Sequence, residues 1–193
     1  MILGIEGSPR KNGNSHKMLK AVMDGAREAH KEMQEVHLRD YRYDPCVGCE
    51  KCRKDKICTQ FQDGMTLLYP KIQEAKGLVL ITPVHNYNVT SWVKAFIDRL
   101  YCYYDFADTR PRQWSSRLAG QGRKAVIAAI AEQEDEKDMG FAMDAMRLPL
   151  EAHGYEMVAA IPVLHLFDRG IISEHGDVLD EARQAGKKLA GSI

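Results

Sequence analysis

The sequence predicts an α/β doubly wound fold: a five-stranded parallel sheet in the order 2-1-3-4-5, with helices on both faces. Three observations carry this. Short apolar runs alternate with amphipathic stretches along the chain, giving βαβαβαβαβα with short connections. Two of the runs, GLVLIT at 77–82 and KAVIAAI at 124–130, are almost wholly apolar, as strands buried on both faces of a parallel sheet are. No linker, repeat or low-complexity tract divides the 193 residues. One domain spanning 1–193 is therefore expected, and it is long enough to bury a sizeable core.

Each element follows from its residues. The apolar start MILGI predicts a first strand over about 1–6. A helix is expected over 15–33, because Met18, Val22, Ala26, Ala29 and Met33 step by four and three along one face. Weak alternation at 35–38 predicts the second strand. Residues 41–62 carry Pro, Gly, Cys and charge without periodicity and read as a loop. That length exceeds an ordinary connection and suggests a functional segment. Asp63-Gly64 opens a helix with Met65, Leu68 and Ile72 on one side. After the third strand, stopped by Pro83, Thr90 or Ser91 caps a helix through Leu100, with Val93, Phe96, Ile97 and Leu100 inward. Residues 101–120 are aromatic and irregular, and the aromatic stretch 101–114 suits a dimer surface or a cover over a ligand. The fourth strand is followed by acidic residues 132–136 and a helix holding Met139, Met146 and Leu150. Gly154 is a plausible helix stop. A fifth strand over 155–163 and a helix marked by Val178, Ala182, Ala185 and Leu189 complete the order.

Composition excludes several functions. The chain is 45% apolar and 28% charged, with 27 basic and 27 acidic residues and zero net charge. No bulk field favours nucleic acid or an acidic membrane. No run reaches a membrane span, and no signal-peptide pattern opens the chain, so a cytoplasmic protein is expected.

Two loops leave the predicted sheet at its carboxyl edge, where ligands of this sheet order bind. The first, GSPRKNGNS at 7–15, joins the first strand to the first helix. Unpaired N–H groups and the dipole at a helix start favour an anion. Ser8, Asn14 and Ser15 add neutral donors, and Arg10 adds a forked cation suited to phosphate oxygens. The loop lacks GxGxxG and GxxxxGK[ST], so one phosphate fits it better than a dinucleotide or a triphosphate. An ordinary polar turn is the plain alternative. The second loop, Pro83, Val84, His85, Asn86 and Tyr87, offers backbone amides, an imidazole and a phenol to a flat heteroaromatic ring.

These segments resemble the NADPH-dependent FMN reductase and iron–sulfur flavoprotein families, both flavodoxin-like. In those families a segment similar to SPRxxGNS holds the FMN phosphate, and one similar to PVYxxxVxxxxKxFIDR lines the isoalloxazine. Pro83, Val84, Val89, Lys94, Phe96, Ile97, Asp98 and Arg99 match the second pattern in register. The resemblance covers about residues 1–100. It implies FMN bound by Ser8, Arg10, Asn14 and Ser15 at the phosphate and by Pro83, Val84, His85, Asn86 and Tyr87 at the ring. It also implies a homodimer or higher homo-oligomer. His85 departs from the usual Tyr. After the fourth strand, Ala131-Glu132-Gln133-Glu134 replaces the Gly-containing turn of many members, so no flavin contact is carried onto it.

The sharpest chemical feature is Cys46-x2-Cys49-x2-Cys52-x5-Cys58, four of the chain's five cysteines within one loop. Such clustering points to metal or redox chemistry. CxxCxxC aims three thiolates at one small object, and a fourth nearby completes the ligands of a [4Fe–4S] cluster. The spacing resembles the compact motif of iron–sulfur flavoproteins. Thr59, rather than Pro, follows Cys58, which suits a self-contained site. Two alternatives stay open. Zinc accepts four thiolates, though usually from separated CxxC knuckles. Lys51, Arg53, Lys54 and Lys56 would lower thiol pKa values and favour reactive thiols without metal. The loop follows the second strand, so the cysteines are expected at the same sheet edge as the phosphate loop. Cys102 reads as a packed thiol. His16, His30, His37, His153, His165 and His175 show no metal spacing and read as surface or satisfied core residues.

The function expected is an FMN-dependent redox enzyme with a [4Fe–4S] cluster, moving electrons between a carrier such as ferredoxin and a small acceptor. No side chain is assigned as catalytic acid, base or nucleophile. One alternative is an NAD(P)H-dependent FMN or quinone reductase without a cluster. Another is a non-catalytic thiol or metal redox sensor. No nucleic-acid or membrane partner is expected.

Overall fold

The computed structural model describes residues 1–28 and 32–193. Its elements are β1 (Ile2–Glu6), α1 (Asn14–Arg27), β2 (Met33–His37), α2 (Lys51–Asp55), α3 (Gly64–Glu74), β3 (Gly77–Pro83) and α4 (Ser91–Arg99). They continue with β4 (Tyr104–Phe106), β5 (Trp114–Ser116), β6 (Lys124–Ile130), α5 (Ala142–Ala152), β7 (Glu156–Val163) and α6 (Gly176–Gly191). A five-stranded sheet runs β2-β1-β3-β6-β7, every pair parallel. With the hairpin strands set aside, this is the predicted order 2-1-3-4-5. Among the described residues no helix is long and apolar enough to cross a membrane.

The apolar strand runs are explained by two cores. Ile2, Val79, Ile81, Val126 and Ala128 face α1 and α6, where Met18, Leu19, Val22, Ala182 and Leu189 pack on them. Leu3, Ile5, Leu78, Leu80 and Ile127 face the opposite way, onto Met65, Leu68, Val93, Phe96, Met146 and Leu150 of α3, α4 and α5. Successive residues of β1 and β3 thus enter different cores, as a two-residue side-chain period requires. The α1–α6 crossing is close because both helices carry a glycine there. A Cβ on Gly25 would meet the Arg183 carbonyl oxygen at 2.0 Å, and one on Gly186 the Val22 oxygen at 1.9 Å.

Three expectations need correction. Helix α1 ends at Arg27, and Met33 opens β2 instead of closing the helix. The expected places of Ala29 on that helix and of His30 lie outside the described residues. The 41–62 segment is not wholly irregular, because α2 sits inside it, bracketed by Glu50 and Lys56 at φ 58° and 62°. Residues 101–120 contain an antiparallel hairpin, β4 against β5.

That hairpin covers a buried imidazole. The Tyr104 ring stacks on His153, with centroids 4.3 Å apart. Ser116 Oγ lies 2.9 Å from His153 Nδ1. Burial, helped by the Arg123 charge, pushes the His153 imidazole down to about 4. Arg123 is itself buried and donates to the carbonyls of Ile72 (2.8 Å), Gln73 (2.6 Å) and Ala75, closing the C-terminal end of α3.

The unfolded chain therefore binds a proton at His153 that the folded chain refuses. Stability from this residue is complete above its ordinary value near 6.5 and is lost as pH falls toward 4. Urea unfolding at about pH 7 and about pH 4.5 is expected to differ by about 2–3 kcal/mol more for the native chain than for His153→Asn. Equal differences would show that His153 is not buried neutral.

Candidate functional site

The loops that follow β1, β3, β6 and β7 meet beyond the carboxyl ends of the strands and enclose one pocket. Its floor begins at the N-terminus of α1. Gly13 is the cap residue and makes no side-chain cap bond, and no acidic residue occupies the first turn. The helix therefore presents free N–H groups, and no acidic residue of its own first turn competes for them. Ser8 and Ser15 stand there, 4% and 2% exposed. The Arg10 amide donates to Ser8 Oγ at 3.1 Å and tightens the turn.

The loop after β7 is strapped across this one. Arg10 Nη1 donates to the Phe167 carbonyl at 2.8 Å, and its guanidinium lies 4.8 Å from the Phe167 ring centroid. Asn14 Nδ2 donates to the Asp168 carbonyl at 3.0 Å, and Lys17 Nζ to Ser173 Oγ at 2.7 Å. Arg10 and Asn14 thus hold the strap as well as face the pocket.

The β1 and β3 loops are locked together. Thr90 Oγ1 accepts from the Val93 N–H at 3.3 Å, capping α4, and the same hydroxyl donates to the Gly7 carbonyl at 2.8 Å. Only glycine fits at position 7, because a Cβ would meet Val93 Cγ2 at 2.0 Å. Between the loops' anchors, His85 and Asn88 exchange two backbone hydrogen bonds, at 2.8 and 3.1 Å. This places Asn86 and Tyr87 at φ 54° and 62°, the mirror-image conformation of a two-residue hairpin turn. For a tyrosine that costs about 1–3 kcal/mol. The Phe141 N–H, donating to the Tyr87 carbonyl at 2.8 Å, helps hold the turn.

Ser8, Arg10, Asn14, Ser15, Pro83, Val84 and His85 therefore line one pocket. Asn86 and Tyr87 do not line it; Tyr87 is 62% exposed on the turn outside. The wall also includes Ala131, Glu132, Gln133, Leu166 and Phe167, which sequence reasoning left out. Position at the end of β6 was the available signal for the first three. Nothing in the local pattern marks Leu166 or Phe167.

The cysteine loop is clamped at both feet by one arginine. Arg99, 2% exposed, donates from Nη1 to the Asp44 carbonyl (2.8 Å) and Asp63 Oδ2 (2.7 Å), and from Nη2 to Asp63 Oδ1 (3.1 Å). The Asp44 N–H donates to Asp63 Oδ2 at 3.1 Å. Burial works against the Asp63 carboxylate, yet Arg99 and the Asp44 N–H hold it below the usual carboxylate range. Between these feet Cys46, Cys49, Cys52 and Cys58 line a second pocket, with Phe61 and Cys102 in its wall. Cys52 and Cys58 pack on the core, while Cys46 and Cys49 are exposed.

The basic residues of the loop do not activate the Cys52 thiol. Arg53 pairs with Glu50 at 2.8 Å and donates to the Tyr101 hydroxyl at 2.9 Å, and Lys56 pairs with Asp105 at 2.5 Å. Burial first, then Cys58, Cys46 and Cys49, pushes Cys52 upward. Four thiols gathered on one pocket are a donor set suited to a shared metal centre. Cys102 is the buried thiol expected, pushed up to about 12 by burial and the neighbouring thiols. The loop leaves β2 at the predicted edge, but its pocket takes Asp98 and Arg99 from the C-terminal end of α4 and Tyr101 from just beyond it. The first pocket takes Pro83, Val84 and His85 from before its start. Nine helical residues, about 13 Å, separate those ends.

Comparison with known proteins places this arrangement. Residues 1–148 match the family described as NADPH-dependent FMN reductase. An iron-sulfur flavoprotein of Archaeoglobus fulgidus is 32% identical across 97% of this chain and 78% of its own length. One of Methanocaldococcus jannaschii is 32% identical across 98% of this chain and 95% of its own. The NAD(P)H:quinone oxidoreductase of Methanothermobacter marburgensis superposes with a TM-score of 0.70 at 19% identity, over 97% of this chain and 98% of that one.

The Gly7–Thr90 lock gives a direct test. Gly7→Ala is expected to destabilise the chain by about 1–3 kcal/mol through overpacking on Val93. Thr90→Val is expected to cost about 1–2 kcal/mol through the lost cap. Unchanged unfolding midpoints in denaturant would refute the lock.

Proposed function

This chain belongs to the NADPH-dependent FMN reductase family and is a flavin-dependent oxidoreductase; from that premise we propose that it carries a [4Fe–4S] cluster beside its FMN. In this reading it moves electrons between a carrier such as ferredoxin and a small acceptor. The observation that carries the proposal is the convergence of Cys46, Cys49, Cys52 and Cys58 on one pocket. Relatives named iron-sulfur flavoprotein support it.

The residues fit both groups. Ser8 and Ser15, with the open N-terminus of α1, would hold the FMN phosphate. Arg10 and Asn14 would close the strap over it. Pro83, Val84 and His85 would flank the isoalloxazine, with Asn86 and Tyr87 at the rim. FMN supplies two-electron chemistry that can also proceed by single electrons. The four thiolates would bind the cluster, which supplies one-electron transfer. Arg99 would fix the feet of their loop, and the apolar wall of Phe61 would limit water. No side chain is required as an acid or base. Exposed Tyr87, Phe141 and Leu148 support a homodimer or higher homo-oligomer, and a cytoplasmic location belongs to the same reading.

A cluster-free NAD(P)H-dependent FMN or quinone reductase is the second reading, favoured by the family's description. Membership of a reductase family favours either enzyme over a thiol or metal sensor. Anaerobic reconstitution decides between them. About four iron and one FMN per chain are expected, with iron lost and FMN kept in Cys49→Ser. Iron near zero with normal FMN, and flavin bleached by NADPH in stopped flow but not by reduced ferredoxin, would overturn the cluster.

A further inference from the structure

Glu6, His16 and His37 line neither pocket, yet they converge. Glu6 ends β1 and His37 ends β2, and the two are partners in the parallel ladder. His16 lies in the first turn of α1. One ligand atom from each of the three lies within 4.8 Å of the other two. Their spacing along the chain shows no metal pattern, because the three meet only through the register of β1 with β2 and the start of α1.

The cluster is incompletely satisfied. The Glu6 carboxylate has no solvent exposure. Its Oε2 lies 2.5 Å from His37 Nδ1, accepts from Arg39 Nη1 at 2.9 Å, and stands 3.5 Å from His16 Nδ1. Its Oε1 has no hydrogen-bond partner, and neither does His16 Nδ1. The imidazole rings are 5.1 Å apart. A fully buried carboxylate oxygen and a buried imidazole nitrogen, each without a partner in one cluster, are costly unless something satisfies them.

We propose that Glu6, His16 and His37 form a second metal site, for one divalent first-row transition ion such as zinc. Two imidazoles and one carboxylate are ligands zinc takes at about 2.0–2.2 Å. Calcium and magnesium prefer all-oxygen shells. Tetrahedral bonds of that length set ligand atoms about 3.4 Å apart, so the three groups, whose ligand atoms lie within 4.8 Å of one another, draw in around the ion. Arg39 stays on Oε2 as the outer partner that a ligating carboxylate requires. It also donates to the Ser8 carbonyl at 3.3 Å, linking the site to the phosphate loop. Its positive charge opposes the ion, so the site is exchangeable rather than structural. His16 and His37 are partly exposed, with 17% and 22% of their side chains accessible, which gives the ion a way in.

Cobalt(II) is the probe, because thiolate ligation gives near-ultraviolet charge-transfer bands that nitrogen and oxygen ligands do not. The full-length chain carrying Cys46→Ser, Cys49→Ser, Cys52→Ser and Cys58→Ser is expected to bind about one cobalt with d–d bands and no sulfur band. Adding His16→Gln, His37→Gln or Glu6→Gln should each weaken binding at least about tenfold. His16→Gln alters a partly exposed helix residue, so it keeps the test open if Glu6→Gln does not fold. In the chain with its cysteines intact, the same thiolate-free bands should appear beside the sulfur bands. Binding that does not saturate, or that ignores all three substitutions, would overturn the site and leave a bridging water in its place.

Discussion

Much of this structure depends on one contact, the Thr90 hydroxyl on the Gly7 carbonyl. It joins the turn after β1 to the cap of α4, and it exists because Gly7 has no side chain to hold Val93 away. The parallel pairing of β1 with β3 brings the two turns side by side. The hydroxyl then sets how far apart they stand. On one side of the lock, α1 begins with unpaired N–H groups. On the other, His85 leaves β3 toward a two-residue turn. The pocket is the space left between them.

The same logic governs the cysteine centre. Four thiols in a long loop would be poorly placed without anchors, because a flexible segment loses conformational entropy on ordering. Arg99 supplies the anchor by holding Asp44 and Asp63, the residues flanking the cysteine run, with one guanidinium. It comes from the helix that Thr90 caps, so both sites are referenced to α4, each to a different end. The strap after β7 adds a third reference through Arg10, Asn14 and Lys17.

The fold was legible where burial dictates residue type. The predicted bounds of β6 match Lys124–Ile130, and the helix expected to open at Asp63-Gly64 and the one expected to be capped by Thr90 or Ser91 begin there, with Asp63 and Thr90 as the caps. Legibility failed where contacts at long range decide. The stepping of Met18, Val22 and Ala26 continues to Met33 by coincidence, and pairing of Ile2 with Met33 claims that residue for the sheet. Hairpin β4–β5 carries no alternation because its aromatics pack on His153 and on one another. Nothing in the local sequence marks Arg123 for the core, where the carbonyls at the end of α3 hold it. Both loops of the first pocket were visible as motifs, whereas Phe167 arrives from a loop with no pattern. Glu6 and His37 meet only through strand register.

In the proposed function, the turn at 7–15 holds one phosphate of a flat-ringed cofactor. Fluorescence titration of the flavin-free protein with FMN and with riboflavin isolates that phosphate. Charge-assisted hydrogen bonds at a helix start predict FMN bound at least about 100-fold more tightly, roughly 2.7 kcal/mol. Equal affinity for the two flavins would contradict the account.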